Sequence, residues 1–355
     1  MPVRQPSRTR SAARAFACLL LCGATLLSGC RKQGSASHRG AINGAGASFP
    51  YPIYSEWFAR YDHDHPGVEI NYQAIGSGGG IRQVRDGILD FGGTDGPMTD
   101  AQMADSPVKV LHVPTVLGAV VPVYHLPDFN GELNFSPGVI ADIYLGTVTR
   151  WNDPRIAQDN PGVTLPNHEI LPVYRSDGSG TTFVLTDFLS KVSSEWKSRI
   201  GRATSVDFPI GIGEKGSEGV SGMVLQSPYS FGYVEMNYAV LNGMTYGRLR
   251  NADGRWIKAT PESVTAAAQA TVGQIPPDFR ASITNAPGAA SYPICSFTWL
   301  LVPIHPKDAG HGPVIHDFLR WMLTSGEDLA PGMNYAPLPV ELRQRVLASL
   351  SALQS

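Results

Sequence analysis

The chain has 355 residues, 43% of them hydrophobic and only 16% charged, against about 25% charged in a typical globular protein. That length provides for about two domains of roughly 150 residues each. A formal net charge of −2 leaves no basic surplus to release counterions from a polynucleotide, which argues against general nucleic-acid binding, and low charge with many aromatics argues against disorder.

The N-terminus reads first. Arg4, Arg8, Arg10 and Arg14 form a cationic stretch, and residues 15–27 after it are mostly apolar. The apolar run is shorter than the ~20 residues of a membrane span, so residues 1–29 are predicted to be a secretory signal peptide. Its end, Leu27-Ser28-Gly29-Cys30, resembles a bacterial lipobox. That resemblance implies cleavage before Cys30, lipidation of Cys30, and a protein held in the periplasm or cell envelope through this anchor alone. Cleavage removes four Arg and no acid, leaving a charge of −6. Cys18 and Cys22 leave with the signal. Cys295, in the apolar run Tyr292-Pro293-Ile294-Cys295, is then expected to be a buried small hydrophobe without a disulfide partner. Residues 31–41 are small and polar and are expected to form a flexible tether.

From Ile42 onward, strand-like runs alternate with helical periods. Val68-Glu69-Ile70-Asn71-Tyr72 has period two, and residues 108–123 and 297–304 are apolar enough for buried strands. Helical spacing joins Ile53, Tyr54, Trp57, Phe58 and Tyr61, then Ile81, Val84, Ile88 and Leu89, then Phe183, Val184, Phe188, Leu189 and Val192. The alternation predicts an α/β protein with sheets covered on both faces.

Each of those three helices follows a small-residue turn bearing hydroxyls. The turns are Gly44-Ala45-Gly46-Ala47-Ser48-Phe49-Pro50, Gly76-Ser77-Gly78-Gly79-Gly80 and Asp177-Gly178-Ser179-Gly180-Thr181-Thr182. A helix start offers unpaired N–H groups and a positive dipole end, glycine admits close backbone approach, and Ser or Thr adds a donor. None of the turns has the Gly-Lys-Ser/Thr ending of a P-loop, so a small enclosed anion is expected rather than a nucleotide. Arg175 supplies a planar permanent cation suited to an oxyanion, and Asp177 is placed to orient it. Asp95, in Asp90-Phe91-Gly92-Gly93-Thr94-Asp95, is an acceptor only when ionised. It accepts from a protonated oxyanion such as phosphate and repels a fully ionised one such as sulfate.

Taken in order, Gly44-Ala-Gly-Ala-Ser-Phe49, Ile75-Gly-Ser-Gly-Gly79, Asp90-Phe-Gly-Gly-Thr-Asp95 and Arg175-Ser-Asp-Gly-Ser-Gly-Thr181 resemble the phosphate-binding proteins of the high-affinity bacterial phosphate ABC transporter. Asp142-Ile-Tyr-Leu-Gly146, Trp151-Asn152-Asp153, Phe208-Pro-Ile-Gly211 and Phe231-Gly-Tyr-Val-Glu235 extend the likeness from about residue 42 to 345. The resemblance implies a two-lobed periplasmic-binding-protein fold of type II, each lobe a mixed sheet flanked by helices. Lobe I is expected over residues 42–116 and 296–355 and lobe II over 117–295, with two hinge crossings near Val116 and Ser296. It further implies phosphate ligands at Ser48, Phe49, Ser77, Asp95, Arg175, Ser179 (hydroxyl and backbone), Gly180 and Thr181, with Asp177 supporting Arg175. Ser48 stands where Thr is common in the family, and Gly78 where a second Ser is common. The implied partners are inorganic phosphate and the permease subunits of an ABC transporter. A monomer without cofactor, metal or catalytic activity is expected.

Other constellations carry less. Asp62-His63-Asp64-His65 reads as a solvated turn, and His311 and His316 lack the i, i+4 spacing of a helical zinc pair. Ser77 and Ser179 are not in the Gly-x-Ser-x-Gly of a hydrolase elbow. Another oxoanion, or an anchored adhesin or signalling lipoprotein on the same fold, are the alternatives to phosphate delivery.

Overall fold

The computed structural model describes residues 41–353 except 128 and 130; the predicted signal peptide, Cys30 and all but the last residue of the predicted tether lie outside the described residues. The chain opens with β1 (Ile42–Gly46), α1 (Tyr51–Asp64), β2 (Ile70–Ala74), α2 (Ser77–Arg85), β3 (Phe91–Thr94) and α3 (Asp100–Ala104). The long β4 (Val110–Tyr124) leads to β5 (Asn134–Phe135), α4 (Pro137–Leu145), α5 (Pro154–Asp159), β6 (Leu171–Arg175), α6 (Gly180–Val192) and α7 (Ser194–Arg199). There follow β7 (Ile212–Glu214), α8 (Gly216–Gln226), β8 (Ser230–Glu235), α9 (Met236–Leu241), β9 (Thr245–Tyr246), β10 (Arg248–Arg250), β11 (Trp256–Ile257) and α10 (Pro261–Gln269). The chain finishes with β12 (Cys295–Pro303), α11 (His311–Met322) and α12 (Val340–Ser349).

The principal sheet runs β2-β1-β3-β12-β4-β8-β6-β7, with β9 attached to β4, and β11-β10-β5 form a small second sheet. β1 is parallel to β2 and β3, and β6 is parallel to β7 and β8. Between these two parallel groups, β12 and β4 are antiparallel to their neighbours. The result is the mixed α/β architecture that the alternation of patterns predicts. β4 resolves the apolar stretch 108–123 as one strand of 15 residues, buried except at Leu111. It changes partner midway: Ala119 is registered opposite Cys295 of β12, and Val120 opposite Glu235 of β8.

The helical periods map closely onto burial. α1 buries Ile53, Tyr54, Trp57, Phe58 and Tyr61, and Trp57 Nε1 donates to the Gly326 carbonyl at 2.8 Å. α6 buries Val184, Phe188 and Leu189. α2 departs from expectation. It begins at Ser77, inside the glycine run, and ends at Arg85, which leaves Ile88 outside it and 66% exposed. The glycines are helical because the helix lies against the sheet backbone. A Cβ on Gly80 would stand 2.7 Å from Gly46 Cα and 2.8 Å from the Gly93 carbonyl oxygen, so close packing outweighs the poor helix propensity of glycine. β2 likewise starts at Ile70, two residues after the alternating run begins. Cys295 is fully buried, free of any disulfide, and its thiol is pushed up to about 12 by burial.

Candidate functional site

The turns singled out in the sequence follow the carboxyl ends of β1, β2, β3 and β6. In open α/β sheets these ends form the binding crevice. The parallel pairing of β1 with β2 and β3 sets three of them side by side.

One cluster gathers Ser77, Asp95 and Gly180. The Asp95 N–H donates to Ser77 Oγ at 3.2 Å, and Ser77 Oγ lies 3.5 Å from Asp95 Oδ2. Thr298 of β12 donates to Asp95 Oδ1 at 2.8 Å. Gly180, at the start of α6, abuts both: a Cβ there would stand 2.4 Å from Asp95 Oδ2 and from Ser77 Oγ. A second cluster gathers Arg175, Asp177, Ser48 and Ser217. Arg175 Nε and Nη2 donate to the two Asp177 oxygens at 2.7 and 2.6 Å, a forked pair. Its Nη1 points to Ser217 Oγ at 3.4 Å, and that hydroxyl meets Ser48 Oγ at 2.9 Å. The clusters join where the Gly78 N–H donates to the Gly178 carbonyl at 2.8 Å. They join again at Gly76, where a Cβ would lie 2.4 Å from Asp177 Oδ2.

Ser48, Phe49, Ser77, Asp95, Arg175, Ser179, Gly180 and Thr181 are all buried. Burial raises Asp95 to about 7, against the opposing effects of the Thr298 hydrogen bond, the Arg175 charge and Ser77. Burial also works against the Arg175 cation, but the Asp177 fork overrides it and holds the charge. Asp177 is depressed by the same pairing, which outweighs its desolvation. Ser179 caps α6 by accepting from the Thr182 N–H at 3.1 Å. Its own N–H donates to the Thr204 carbonyl at 2.7 Å, so the backbone group expected from Ser179 is already committed, and the hydroxyl proton is what remains to donate to a ligand. The N–H groups of Gly180 and Thr181, in the first turn of α6, have no intrahelical acceptor. The Thr181 hydroxyl is buried with no hydrogen-bond partner among the described residues, which costs about 1–3 kcal/mol unless something else supplies one.

Two residues were missed in the sequence. Ser217 bridges Ser48 and Arg175, and its signal was legible: Gly216-Ser217 opens α8 just as the other turns open their helices. The Gly216 N–H also donates to Asp177 at 3.1 Å. Thr298, inside an apolar strand, had no such signal. The Asp62–His65 group lies at the exposed end of α1, as expected of a solvated turn.

A profile of the PBP superfamily domain matches residues 31–326. The phosphate-binding protein PstS of Xylella fastidiosa (strain Temecula1) is 40% identical over 353 residues, covering 94% of this chain and 96% of its own length. The chain belongs to the PstS family of the PBP superfamily. The PstS protein of Pasteurella multocida (strain Pm70) is 41% identical over 86% of this chain and 89% of its own. Among solved structures, the phosphate-binding protein from Stenotrophomonas maltophilia superposes with a TM-score of 0.67 at 18% identity, covering 87% of this chain and 93% of that one. An ABC-type phosphate transport receptor from Vibrio cholerae gives a TM-score of 0.55 at 15% identity, covering 84% of this chain and all of that one. These two share the fold.

Proposed function

We propose that this chain captures inorganic phosphate and delivers it to the permease of an ABC phosphate importer. It is a periplasmic solute-binding protein and not an enzyme, and it hands its ligand on unchanged. The observation that carries the assignment is the buried convergence of Ser48, Ser77, Arg175, Ser217 and the α6 start around Asp95. One full positive charge, several hydroxyls and helix-start N–H groups suit a tetrahedral anion. The single acid suits one that carries a proton. Phosphate retains at least one proton at neutral pH; sulfate has none to give.

In this reading the ligands are Ser48, Phe49, Ser77, Asp95, Arg175, Ser179, Gly180 and Thr181, with Ser217 added from the structure and Asp177 in support. Residues 42–116 and 296–355 form one lobe and 117–295 the other. The partner change of β4 between Ala119 and Val120, just beyond the crossing expected near Val116, supports a hinge in this stretch. Ties across the cleft, such as the Tyr238 hydroxyl donating to the Ser48 carbonyl at 2.7 Å, support a closed arrangement of the two lobes. Cleavage of residues 1–29 and a lipid on Cys30 keep the protein beside its permease as an anchored monomer.

Thermal melting of the mature chain tests the assignment. A ligand that binds only the folded state raises the melting temperature by mass action, by about 2.7 kcal/mol of stability at 100 times Kd. Phosphate is expected to shift the transition at micromolar concentration, and sulfate to leave it unmoved at pH 8. Equal shifts by both anions would point to a general oxoanion binder, and no shift by either would remove the assignment.

A further inference from the structure

Residues 275–284, between α10 and β12, bond to both proposed lobes. At one end Arg345 of α12 donates from Nη2 to the Ile275 and Pro276 carbonyls at 2.8 and 3.3 Å. Trp299 of β12 donates from Nε1 to the Phe279 carbonyl at 3.0 Å. Phe279 is buried with φ of 59°, a left-handed conformation that a bulky residue keeps only when its surroundings hold it. At the other end the Ser282 and Thr284 hydroxyls donate to Asp187 of α6, and Lys191 of α6 bonds the same two side chains. The lobe division expected from the sequence puts this whole segment in the 117–295 lobe, yet its first half is fastened to residues 296–355 and only its second half to α6 of its own lobe.

Arg280 lies between these ends. Its Nε is held by Asp278 at 2.8 Å, while Nη1 reaches the Met98 carbonyl at 2.9 Å and Asp100 Oδ1 at 2.8 Å. Met98 lies three residues beyond Asp95, and its N–H donates to His112 Nε2 at 3.2 Å. Arg280 thus grips the turn that carries the acid of the cage without entering the cage itself. The Asp100 carboxylate is 94% exposed, so its ion pair contributes little; the hydrogen bond to the Met98 carbonyl is the stronger contact. Arg280 also lines a cleft of about 600 Å³ with Met98 and Asp100 on one wall and Phe183 and Arg202 on the other. Arg280 bonds the Met98–Asp100 side, and Ser282 and Thr284 carry the segment on to Asp187 of α6, so the segment resists separation of the two sides.

We propose that residues 275–284 form a strap joining the two lobes, and that Arg280 is a positioning residue that holds the Asp95 turn in the closed form and slows ligand release. The proposal rests on the reading of two lobes closing over phosphate. The test is stopped-flow measurement of phosphate association and release on the mature chain, with Arg280→Ala, Arg280→Lys and Asp100→Asn. Arg199→Ala, which removes an equally charged side chain from an exposed pair with Glu195, is the control. Losing a hydrogen bond from a charged donor should speed release about tenfold in Arg280→Ala, with association within about twofold, because such changes fall mainly on release. Arg280→Lys keeps the charge and should recover part of that loss, and it supplies the measurement even where the alanine variant folds poorly. Asp100→Asn should change release less than about twofold. Unchanged release in both Arg280 variants, or equal acceleration in Arg199→Ala, overturns the strap. If the unsubstituted protein fails to bind phosphate in the same instrument, the reading beneath it fails and the strap falls with it.

Discussion

Asp95 is a carboxyl placed where an anion is to be bound, and its position on the pH scale decides what that means. Burial lifts it to about 7 despite Thr298, Arg175 and Ser77. Above that value it is ionised and accepts only, so its guest must bring a proton. Below it the acid carries its own proton and becomes a donor, which a fully ionised oxyanion can use. Sulfate affinity of the unsubstituted protein is therefore expected to rise as pH falls from 8 to 5, while phosphate, which can exchange roles with the acid, stays tightly bound throughout. Asp95→Asn offers an amide donor at every pH. It should make sulfate binding insensitive to pH and lower selectivity at pH 8 by at least about 100-fold, since an unpaired buried acceptor can discriminate by ~10⁴-fold. Calorimetric titration with both anions at the two pH values measures this. Equal weakening of both anions by Asp95→Asn, with selectivity preserved, would remove the proton-reading role.

The elements fit so tightly at α6 that one methyl group separates binding from folding. Gly180 opens the helix outside the left-handed region, so alanine suits its backbone, yet a Cβ would lie 2.4 Å from both Asp95 and Ser77. Those two side chains belong to the opposite lobe in the proposed division. Gly180→Ala should thus leave the ligand-free melting temperature within about 3 °C of the parent, roughly 1 kcal/mol for a chain of this size. It should weaken phosphate binding at least ~100-fold by obstructing closure, a loss of about 2.7 kcal/mol or more. Gly222→Ala in α8 points into open space and should bind normally, with a gain in stability of about 0.5–1 kcal/mol. A Gly180→Ala variant that binds normally would show that α6 does not approach Asp95 in the bound form. This contact also marks what the sequence can and cannot disclose. The apolar spacing of α1, the hydroxyl-bearing turn before it and the Arg175–Asp177 pair are local patterns, and each sits where its pattern placed it. The start of α2 inside its glycines was hidden because local propensity opposes it and only the neighbouring backbone of β1 and β3 explains it. Ser217 was legible as one more Gly–Ser helix start but lies outside the motifs that carried the family resemblance. Thr298 and the strap could not be read at all, since their bonds run to side chains and carbonyls far along the chain.

Across the whole molecule, buried acids set how stability answers to pH. Glu327 is raised to about 8 by burial, which outweighs the Leu338 N–H and the Arg343 charge. Glu235 stands well above its usual range, again from burial first. Hydrogen-bond arithmetic agrees for Glu235. The Tyr335 hydroxyl lies 2.7 Å from the Phe49 carbonyl and 3.3 Å from Glu235 Oε2, and it has one proton for two acceptors. A protonated Glu235 supplies the second. With Asp95, these acids make the native state hold more protons than the unfolded chain from about pH 4 up to their folded values, so stability falls as pH rises through that interval. His112, lowered to about 4 mainly by burial, acts in the opposite sense between about pH 4 and 6.5 and offsets only part of it. Below about pH 4 the depressed Asp177 and Asp187 lose their contribution as they protonate. The ligand-free melting temperature is therefore expected to peak near pH 5 and decline toward pH 9. Glu327→Gln keeps an acceptor for the Leu338 N–H, which the Glu327 side chain receives at 3.0 Å, but never ionises. It should match the parent near pH 5 to within about 1 kcal/mol and melt higher at pH 9, on the order of 10 °C, because each unit of pKa difference between folded and unfolded chain is worth about 1.4 kcal/mol. A difference of the same size at both pH values would mean that Glu327 is already ionised in the native protein, and the decline would need another source.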